Sequence, residues 1–226
     1  MSRPKLLDLF CGAGGCSVGY HRAGFDVTGV DREAHPDYPY HLIEQDALAV
    51  LADVALLADF DVVHASPPCQ GYTTMSNRWR GNGGLADSHD TLIAEVRHYL
   101  EQWGGLYVIE NVPGARKDVR HPVTLRGGMF GLGVDRPRLF ESNVPLTAPP
   151  NRKVAEPVGV YGKLDGRRLF TRKDGTEQRA ARTLEQGQAA MGIDWMQWHD
   201  LTEAIPPAYT EHIGRQLAAH LTEVAA

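Results

Sequence analysis

The chain has 226 residues, of which 42% are hydrophobic and 23% are charged, which predicts one globular domain with at most a small appendage. No apolar run approaches the ~20 residues of a membrane-spanning helix, and we expect no signal peptide. Three cysteines without metal-like spacing predict a reduced, cytoplasmic protein with no disulfides and no metal site.

The net charge of −5 is unevenly distributed. Residues 112–182 contain 15 Lys and Arg against 7 Asp and Glu, a net charge of +8 that leaves −13 for the rest. A charged region is usually a solvated face, but this one is also rich in Gly and Pro. A basic part beside an acidic body fits a polyanionic partner on one side of the molecule.

The first elements follow the order of a nucleotide-binding α/β fold. Residues 5–10 predict a buried strand, residues 11–15 (CGAGG) a glycine turn, and the next residues a helix from about Cys16 to Ala23. The second strand, residues 27–31, ends in Asp31, which can accept hydrogen bonds from ribose hydroxyls. A glycine turn alone can be merely a tight connection, but the acid after the next strand favours ligand binding.

The next segment leads to a cysteine on a stiff turn. We expect a third strand over residues 43–47, a helix over 48–57 and a buried fourth strand over 61–65. Residues 66–70 (SPPCQ) follow, where two prolines stiffen the chain before Cys69. Alone, Cys69 fits a buried inert thiol as well as a presented nucleophile.

A long glycine-rich loop, residues 71–87, comes after the cysteine. Loops of this length are usually functional or disordered. Because it carries Arg78, Trp79 and Arg80, one interpretation is a lid that closes over a nucleic acid strand. The alternative is a plain flexible loop.

The fifth strand places a second reactive group near the first. A helix over residues 88–103 precedes the strand, residues 106–109, which ends at Glu110. Ligand sites of open parallel sheets collect at the carboxyl ends of the strands. Cys69 and Glu110 are therefore a candidate reactive pair.

The remaining chain contains a region without apolar periodicity. A strand near residues 134–140 has Arg136 and Arg138 on one face. Residues 141–182 are interpreted as a small irregular substrate-reading segment. Its cationic side chains are Lys163, Arg167, Arg168, Arg172 and Lys173. A helix capped by Thr183 and a final helix over residues 208–222 follow, and Trp195 and Trp198 are expected to be packing residues.

Together these motifs resemble the cytosine-C5 DNA methyltransferases, including the compact members that bacteriophages carry. The matching segments, in the order of that family, are residues 8–15 (DLFCGAGG), 30–31 (VD), 66–70 (SPPCQ), 110–112 (ENV), 136–138 (RPR), and 204–208 (AIPPA) with 213–214 (IG). The resemblance implies an α/β, Rossmann-like S-adenosylmethionine-dependent methyltransferase fold, with a mostly parallel sheet and helices on both faces. Residues 1–140 and 183–226 would form the catalytic domain, and residues 141–182 the target-recognition segment.

The resemblance also implies a mechanism on double-stranded DNA. Cys69, with a lowered thiol pKa, would add to C6 of a flipped cytosine, and C5 would then accept the methyl group of S-adenosylmethionine. Glu110, with a raised pKa, would protonate N3. Arg138 would bind the cytosine O2 and orient Cys69, while Arg136 would be a supporting or phosphate contact.

Residues that would bind ligands follow from the same resemblance. Phe10, Gly12, Ala13 and Gly15 would contact the donor, Asp31 its ribose, and Asp46 its adenine amino group. The donor-binding set is completed by Arg32, Ala47 and Pro68. The DNA-binding set is Gln70, Arg78, Trp79, Arg80, Lys163, Arg167 and Arg168.

Two features depart from the family pattern. Glu203 stands where the family has an Asn that holds the amino-acid end of the donor. The recognition segment is short, which predicts a target of two to three base pairs or loose specificity.

We expect a monomeric enzyme, of the kind found in restriction-modification systems, in a bacterial or phage-infected cell. Three alternatives remain. They are a transfer-RNA cytosine methyltransferase, an idle DNA- or cofactor-binding homologue and, least favoured, a nicotinamide-dependent oxidoreductase.

Overall fold

A computed structural model describes residues 2–68, 92–171, 175 and 177–224. In these residues seven strands form a central sheet: β1 (Lys5–Leu9), β2 (Asp26–Asp31), β3 (His41–Glu44), β4 (Val62–Ala65), β5 (Leu106–Asn111), β6 (Val123–Leu125) and β7 (Arg138–Ser142). Their spatial order is β3-β2-β1-β4-β5-β7-β6. The first five strands are parallel, whereas β7 is antiparallel to β5 and β6.

The strand order reverses direction between β1 and β4. In open α/β sheets such a switch point leaves a crevice outside the carboxyl ends of the strands, where ligands bind. The glycine turn follows β1, and the residues that lead to Cys69 follow β4. The topology therefore brings the two motifs to one edge of the sheet.

Helices cover both faces of this sheet, as expected. The described helices are α1 (Gly15–Arg22), α2 (Ala47–Ala52), α3 (Val54–Leu57), α4 (Leu92–Trp103), α5 (Leu184–Met191), α6 (Trp198–Glu203) and α7 (Pro207–Val224). On one face, apolar residues of α2, α3 and α4 pack against Leu7, Val63 and Ile109. On the other face, residues of α1 and α7 pack against Leu6 and Val108. The α/β fold with a mostly parallel sheet is confirmed.

Helices α1 and α7 approach each other closely because Gly19 has no side chain. A Cβ atom at this position would clash with the Pro207 carbonyl oxygen and the Thr210 hydroxyl. The Thr210 hydroxyl instead donates to the Cys16 carbonyl at 2.8 Å. This contact fixes the final helix against the helix that follows the glycine turn.

Two local expectations between β2 and β4 were wrong. The third strand is His41–Glu44 rather than residues 43–47, and Asp46 is the N-cap of α2. The expected helix over residues 48–57 is two short helices, because the Asp53 carboxylate accepts hydrogen bonds from Ala55 N and Leu56 N and begins a new helix. Asx side chains compete with the helical backbone in this way.

The segment 141–182 is more regular than its sequence suggested. It contains β8 (Val158–Gly159), β9 (Arg168–Thr171) and β10 (Glu177–Ala180), which form a second sheet in the order β8-β10-β9. Val160 packs with Met191 of α5 and Leu201 of α6 in a separate apolar cluster. The second half of the segment therefore contains a small sheet that packs against α5 and α6.

Within the described part of the chain, no helix is both long and apolar enough to cross a membrane.

Candidate active site

The glycine turn after β1 is held in place by Asp31. The Gly12 N–H donates to Asp31 Oδ2 at 2.9 Å, and the Glu33 N–H donates to Oδ1 at 3.2 Å. Gly12 and Gly14 have φ angles of 50° and 88°, which glycine adopts without steric cost. A Cβ atom on Gly12 would meet open space, so the backbone of this turn is open to a ligand.

The other end of the turn packs against the carboxyl-terminal part of the chain. The Trp195 indole N–H donates to the Ala13 carbonyl at 3.0 Å. A Cβ atom on Gly15 would lie 2.5 Å from the Ile205 carbonyl oxygen, which explains the glycine there. Trp195 and Trp198 both pack against the apolar cluster of the small sheet, which confirms their expected packing role.

Asp46, the expected partner of the donor's adenine, is already engaged on both oxygens. Oδ1 accepts from Leu48 N at 2.8 Å, and Oδ2 accepts from Arg32 Nε at 2.7 Å. Burial favours the neutral carboxyl, but the bonds from Arg32 and the helix N–H groups outweigh it and lower the pKa of Asp46. Ala47, beside it, is buried. Both oxygens of Asp46 are therefore satisfied within the protein, Oδ2 by Arg32.

Glu110 ends β5 at the same edge of the sheet and is 5% exposed. Its Oε1 atom forms an ion pair with Arg138 Nε at 3.1 Å, but has no hydrogen-bond partner among the described residues. Burial raises the Glu110 pKa to about 7, against the opposing effects of Arg138, Arg136 and the Ser66 hydroxyl. The expected raised pKa is found, and it gives the site a carboxyl that can hold a proton near neutral pH.

The ends of β4 and β5 are tied together beside this carboxyl. Asn111 Nδ2 donates to the Pro67 carbonyl at 3.0 Å, and Asn111 Oδ1 accepts from Val112 N at 2.9 Å. Asn111 is buried, whereas Pro68 is exposed. Cys69, the expected nucleophile, comes next in the chain but lies outside the described residues, so its expected pKa is not tested.

Arg136 is not available for a phosphate contact, because it is only 1% exposed. Its guanidinium donates to three carbonyl oxygens: Thr202 at 2.6 Å, Ala204 at 2.8 Å and Val160 at 3.3 Å. It also lies 5.4 Å from the centre of the Tyr161 ring. These contacts favour the supporting role. They join the small sheet and α6 to the loop before β7.

The expected DNA-binding residues divide into two groups. Gln70, Arg78, Trp79 and Arg80 lie outside the described residues. Lys163 and Arg167 are exposed on the small sheet segment, where Arg167 Nε lies 3.5 Å from Asp165 Oδ2, and Arg168 begins β9. Glu203, at the end of α6, is exposed.

Sequence reasoning missed several polar residues around Glu110. His64 and Asp8 are both fully buried on neighbouring strands, and Ser66 lies between His64 and the proline turn. A histidine inside the run of residues 61–65 was the available signal, because strands buried on both faces are normally apolar throughout. Asn111 was missed although it directly follows Glu110.

Comparison with known proteins decides the family. The family model described as C-5 cytosine-specific DNA methylase matches residues 4–125, more than half of the chain. The chain belongs to the C-5 cytosine-specific DNA methylase family. It is 32% identical over 127 residues to the Type II methyltransferase M.AquIA of Picosynechococcus sp., which covers 49% of each chain. It is 35% identical over 130 residues to M.XorII of Xanthomonas oryzae pv. oryzae, which covers 50% of this methylase chain and 29% of that protein.

The methylase chain therefore matches at most about half the length of these two curated relatives. Solved structures share its fold at low identity. A protein encoded within an Escherichia coli prophage, assigned to the DNA modification methyltransferases, has a TM-score of 0.63 at 15% identity, covering 97% of this chain and 99% of that one. The Dnmt2 methyltransferase of Schizosaccharomyces pombe has a TM-score of 0.60 at 13% identity, with the same coverage.

Proposed function

We propose that this methylase transfers a methyl group to C5 of cytosine in double-stranded DNA. The observation that carries the proposal is Glu110. It is a buried carboxyl with a pKa of about 7, paired with Arg138 and placed beside the proline turn that leads to Cys69. Family membership supports the reaction type and the DNA substrate.

Cys69 and Glu110 divide the chemistry between them. The Cys69 thiolate forms an S–C6 bond, and the proton held by Glu110 goes to N3, so that negative charge does not build up on the ring. C5 is now nucleophilic and accepts the methyl group. A base then removes the C5 proton, the S–C6 bond breaks to release the Cys69 thiolate, and N3 returns its proton to Glu110, which restores the aromatic ring and both side chains. Arg138, which is paired with Glu110, would hold the cytosine O2.

The glycine turn fits S-adenosylmethionine, which when bound supplies the methyl group. The open space at Gly12 lets a ligand approach the backbone, and Asp31 stands at the end of β2 for ribose hydroxyls. Phe10, Ala13, Gly15, Ala47 and Pro68 would complete the donor site. Because Arg32 occupies Asp46 Oδ2, we propose that Arg32 moves away from it when the adenine amino group binds.

We further propose that residues 141–182 read the target. The connection between β8 and β9 carries the exposed cations Lys163 and Arg167, and the small size of the segment favours a target of two to three base pairs or loose specificity. A titration over arrayed sequence contexts checks this. Strong discrimination at four or more positions would contradict it. The expected monomeric state and cytoplasmic location stay predictions.

The decisive experiment is covalent trapping on DNA that contains 5-fluorocytosine, with labelled S-adenosylmethionine. We expect a stable protein–DNA adduct, which Cys69→Ser abolishes because the nucleophile is gone. Glu110→Gln should slow transfer by about 10²–10⁴-fold, as for loss of a general acid. Label that enters transfer RNA instead would establish the RNA alternative. DNA binding with no adduct and no transfer would establish the idle homologue.

A further inference from the structure

The sheet face beneath α1 carries polar side chains where apolar ones are the rule. Asp8 of β1 pairs in register with His64 of β4, and the register of Ala65 with Ile109 places Ser66 beside Glu110. His64 and Asp8 are fully buried, and Glu110 is nearly so. Burying this much polar surface in a parallel sheet is costly unless its groups are hydrogen-bonded to one another.

A series of side-chain contacts runs through this stripe from Tyr20 to Glu110. The Tyr20 hydroxyl of α1 lies 2.8 Å from His64 Nδ1, and His64 Nε2 lies 2.9 Å from the Ser66 hydroxyl. Ser66 also lies beside Glu110 by strand register, and its hydroxyl is a hydrogen-bond donor that lowers the Glu110 pKa. This series of contacts therefore begins at the fully buried Tyr20 hydroxyl and ends at the Glu110 carboxyl.

We propose that His64 and Ser66 are positioning residues for Glu110, with the imidazole holding the Ser66 hydroxyl in the orientation that bonds the Glu110 carboxyl. The catalytic consequence rests on the proposed function, but the positioning does not. In this role both residues act through Glu110 and not on the substrate itself.

The hydrogens on each group determine which atom donates in the contacts from Tyr20 to Glu110. Burial lowers the His64 pKa to about 3, so the imidazole is neutral and carries one N–H. When Glu110 is ionised, Ser66 donates to it. Nε2–H of His64 then donates to Ser66, and Tyr20 donates to Nδ1. When Glu110 is protonated it can donate to Ser66, and every bond in the chain can reverse. With Glu110 ionised, these contacts therefore require the Nε2–H tautomer of His64.

The groups that face Glu110 come from three elements, the loop before β7 and the residue after β4. They are Arg138 of β7, Arg136 of the loop before it, Asp8 of β1, and Cys16 and Tyr20 of α1, with Ser66 following β4. Of these, Ser66 is the uncharged donor whose direction another side chain sets. Removing the Ser66 hydroxyl should therefore change the pKa of Glu110 without changing the net charge of the site.

The test is an NMR titration of the ¹³C-labelled Glu110 carboxyl, assigned with Glu110→Gln. Ser66→Ala should raise the Glu110 midpoint by about one pH unit, because a bond to the ionised form is lost. His64→Phe should move it in the same direction, and His64→Gln, whose amide can donate to Ser66, should restore it. The alkaline limb of kcat should move by the same amount, with KM little changed.

Thr210→Val is the matched control, since it removes a buried hydroxyl that bonds the Cys16 carbonyl and not Glu110. It should lower stability but leave the Glu110 midpoint in place. Folded Ser66→Ala and His64→Phe proteins with a wild-type midpoint would overturn the proposal. If these variants do not fold, ¹⁵N NMR of wild-type His64 decides: above the Glu110 midpoint the Nε2–H tautomer should dominate, and a dominant Nδ1–H tautomer there overturns the proposal.

The two proposals fail separately. A moved midpoint in a protein that transfers no methyl group would refute the proposed function and leave the positioning intact. Methyl transfer with an unmoved midpoint would do the reverse.

Discussion

Asp8 makes the folded protein sensitive to pH from inside its core. It is fully buried, its Oδ2 atom accepts from the Ser17 hydroxyl at 2.5 Å, and its Oδ1 atom has no hydrogen-bond partner in the described part of the chain. Burial raises its pKa from 3.8 to about 7. The Ser17 hydroxyl also contacts the Tyr38 hydroxyl, 2.9 Å away, so the carboxyl sits in a closed polar pocket.

Stability should therefore fall as pH rises. The folded protein keeps a proton on Asp8 that the unfolded chain loses near pH 4, so the free energy of unfolding decreases between about pH 4 and 7 and is level above that. A shift of this size corresponds to about 4 kcal/mol. In urea unfolding, the free energy of unfolding of Asp8→Asn should depend less on pH than that of the wild type. Glu110, whose pKa is also raised, should cause part of the dependence that remains.

Asp37→Asn, which makes the same charge change at an exposed position, is the control. It should reproduce the wild-type pH dependence. An Asp8→Asn protein with the wild-type dependence would show that Asp8 is ionised in the folded state.

At the scale of elements, the Asp53 cap explains why one expected helix is two. Its carboxylate accepts from Ala55 N and Leu56 N, both at 3.1 Å. Asp53→Ala should lower the free energy of unfolding by about 1 kcal/mol, as for other N-cap losses. Asp59→Ala, at an exposed position after α3, should change it by less than ~0.5 kcal/mol. Equal effects of the two substitutions in urea unfolding would contradict the capping role.

The sequence predicted the long-range layout better than the local breaks. Strand ends carrying Asp31 and Glu110 were recognisable, because apolar runs stopped at acids and the motif order resembled one family. The break at Asp53 was hidden, since the residues around it are apolar helix formers. The small sheet was missed because strands of two to four residues are too short to show an alternating pattern.

The burial of Arg136 could not be inferred from its motif. An arginine beside Arg138 in a basic region suggests a phosphate contact, and only the fold shows that carbonyl oxygens of α6 and the small sheet surround it. Its φ angle of 31° is unusual for a large side chain before proline, and it persists because these contacts hold it.

At the scale of the whole molecule, Arg136 joins α6 and the small-sheet segment to the loop that precedes β7 of the central sheet. Arg136→Lys keeps the charge but cannot serve three carbonyl oxygens with one planar fork, so it should lower the free energy of unfolding by about 3 kcal/mol. Arg152→Lys, at an exposed position, should have little effect. Urea unfolding measures both. If Arg136→Lys left the free energy of unfolding unchanged, water would be able to replace these contacts.

The separation of charge between the two parts predicts how DNA binding responds to salt. Residues 112–182 carry +8 on a chain whose net charge is −5. If Lys163 and Arg167 contact phosphates, the double substitution to Gln should reduce the slope of log K against log salt concentration by about 2. Arg22, at the end of α1 away from the carboxyl edge of the sheet, supplies the control Arg22→Gln. An unchanged slope in the double variant would place the DNA elsewhere.

The bond from the Trp195 indole to the Ala13 carbonyl also makes the glycine turn observable by tryptophan fluorescence. Indole emission depends on the polarity and hydrogen bonding around the ring, and this ring is joined to the turn that a donor would contact. A ligand that displaces the turn should therefore change the emission of Trp195. Trp195→Phe would identify that signal among those of the other tryptophans. Donor affinity could then be measured in the absence of DNA and of any turnover.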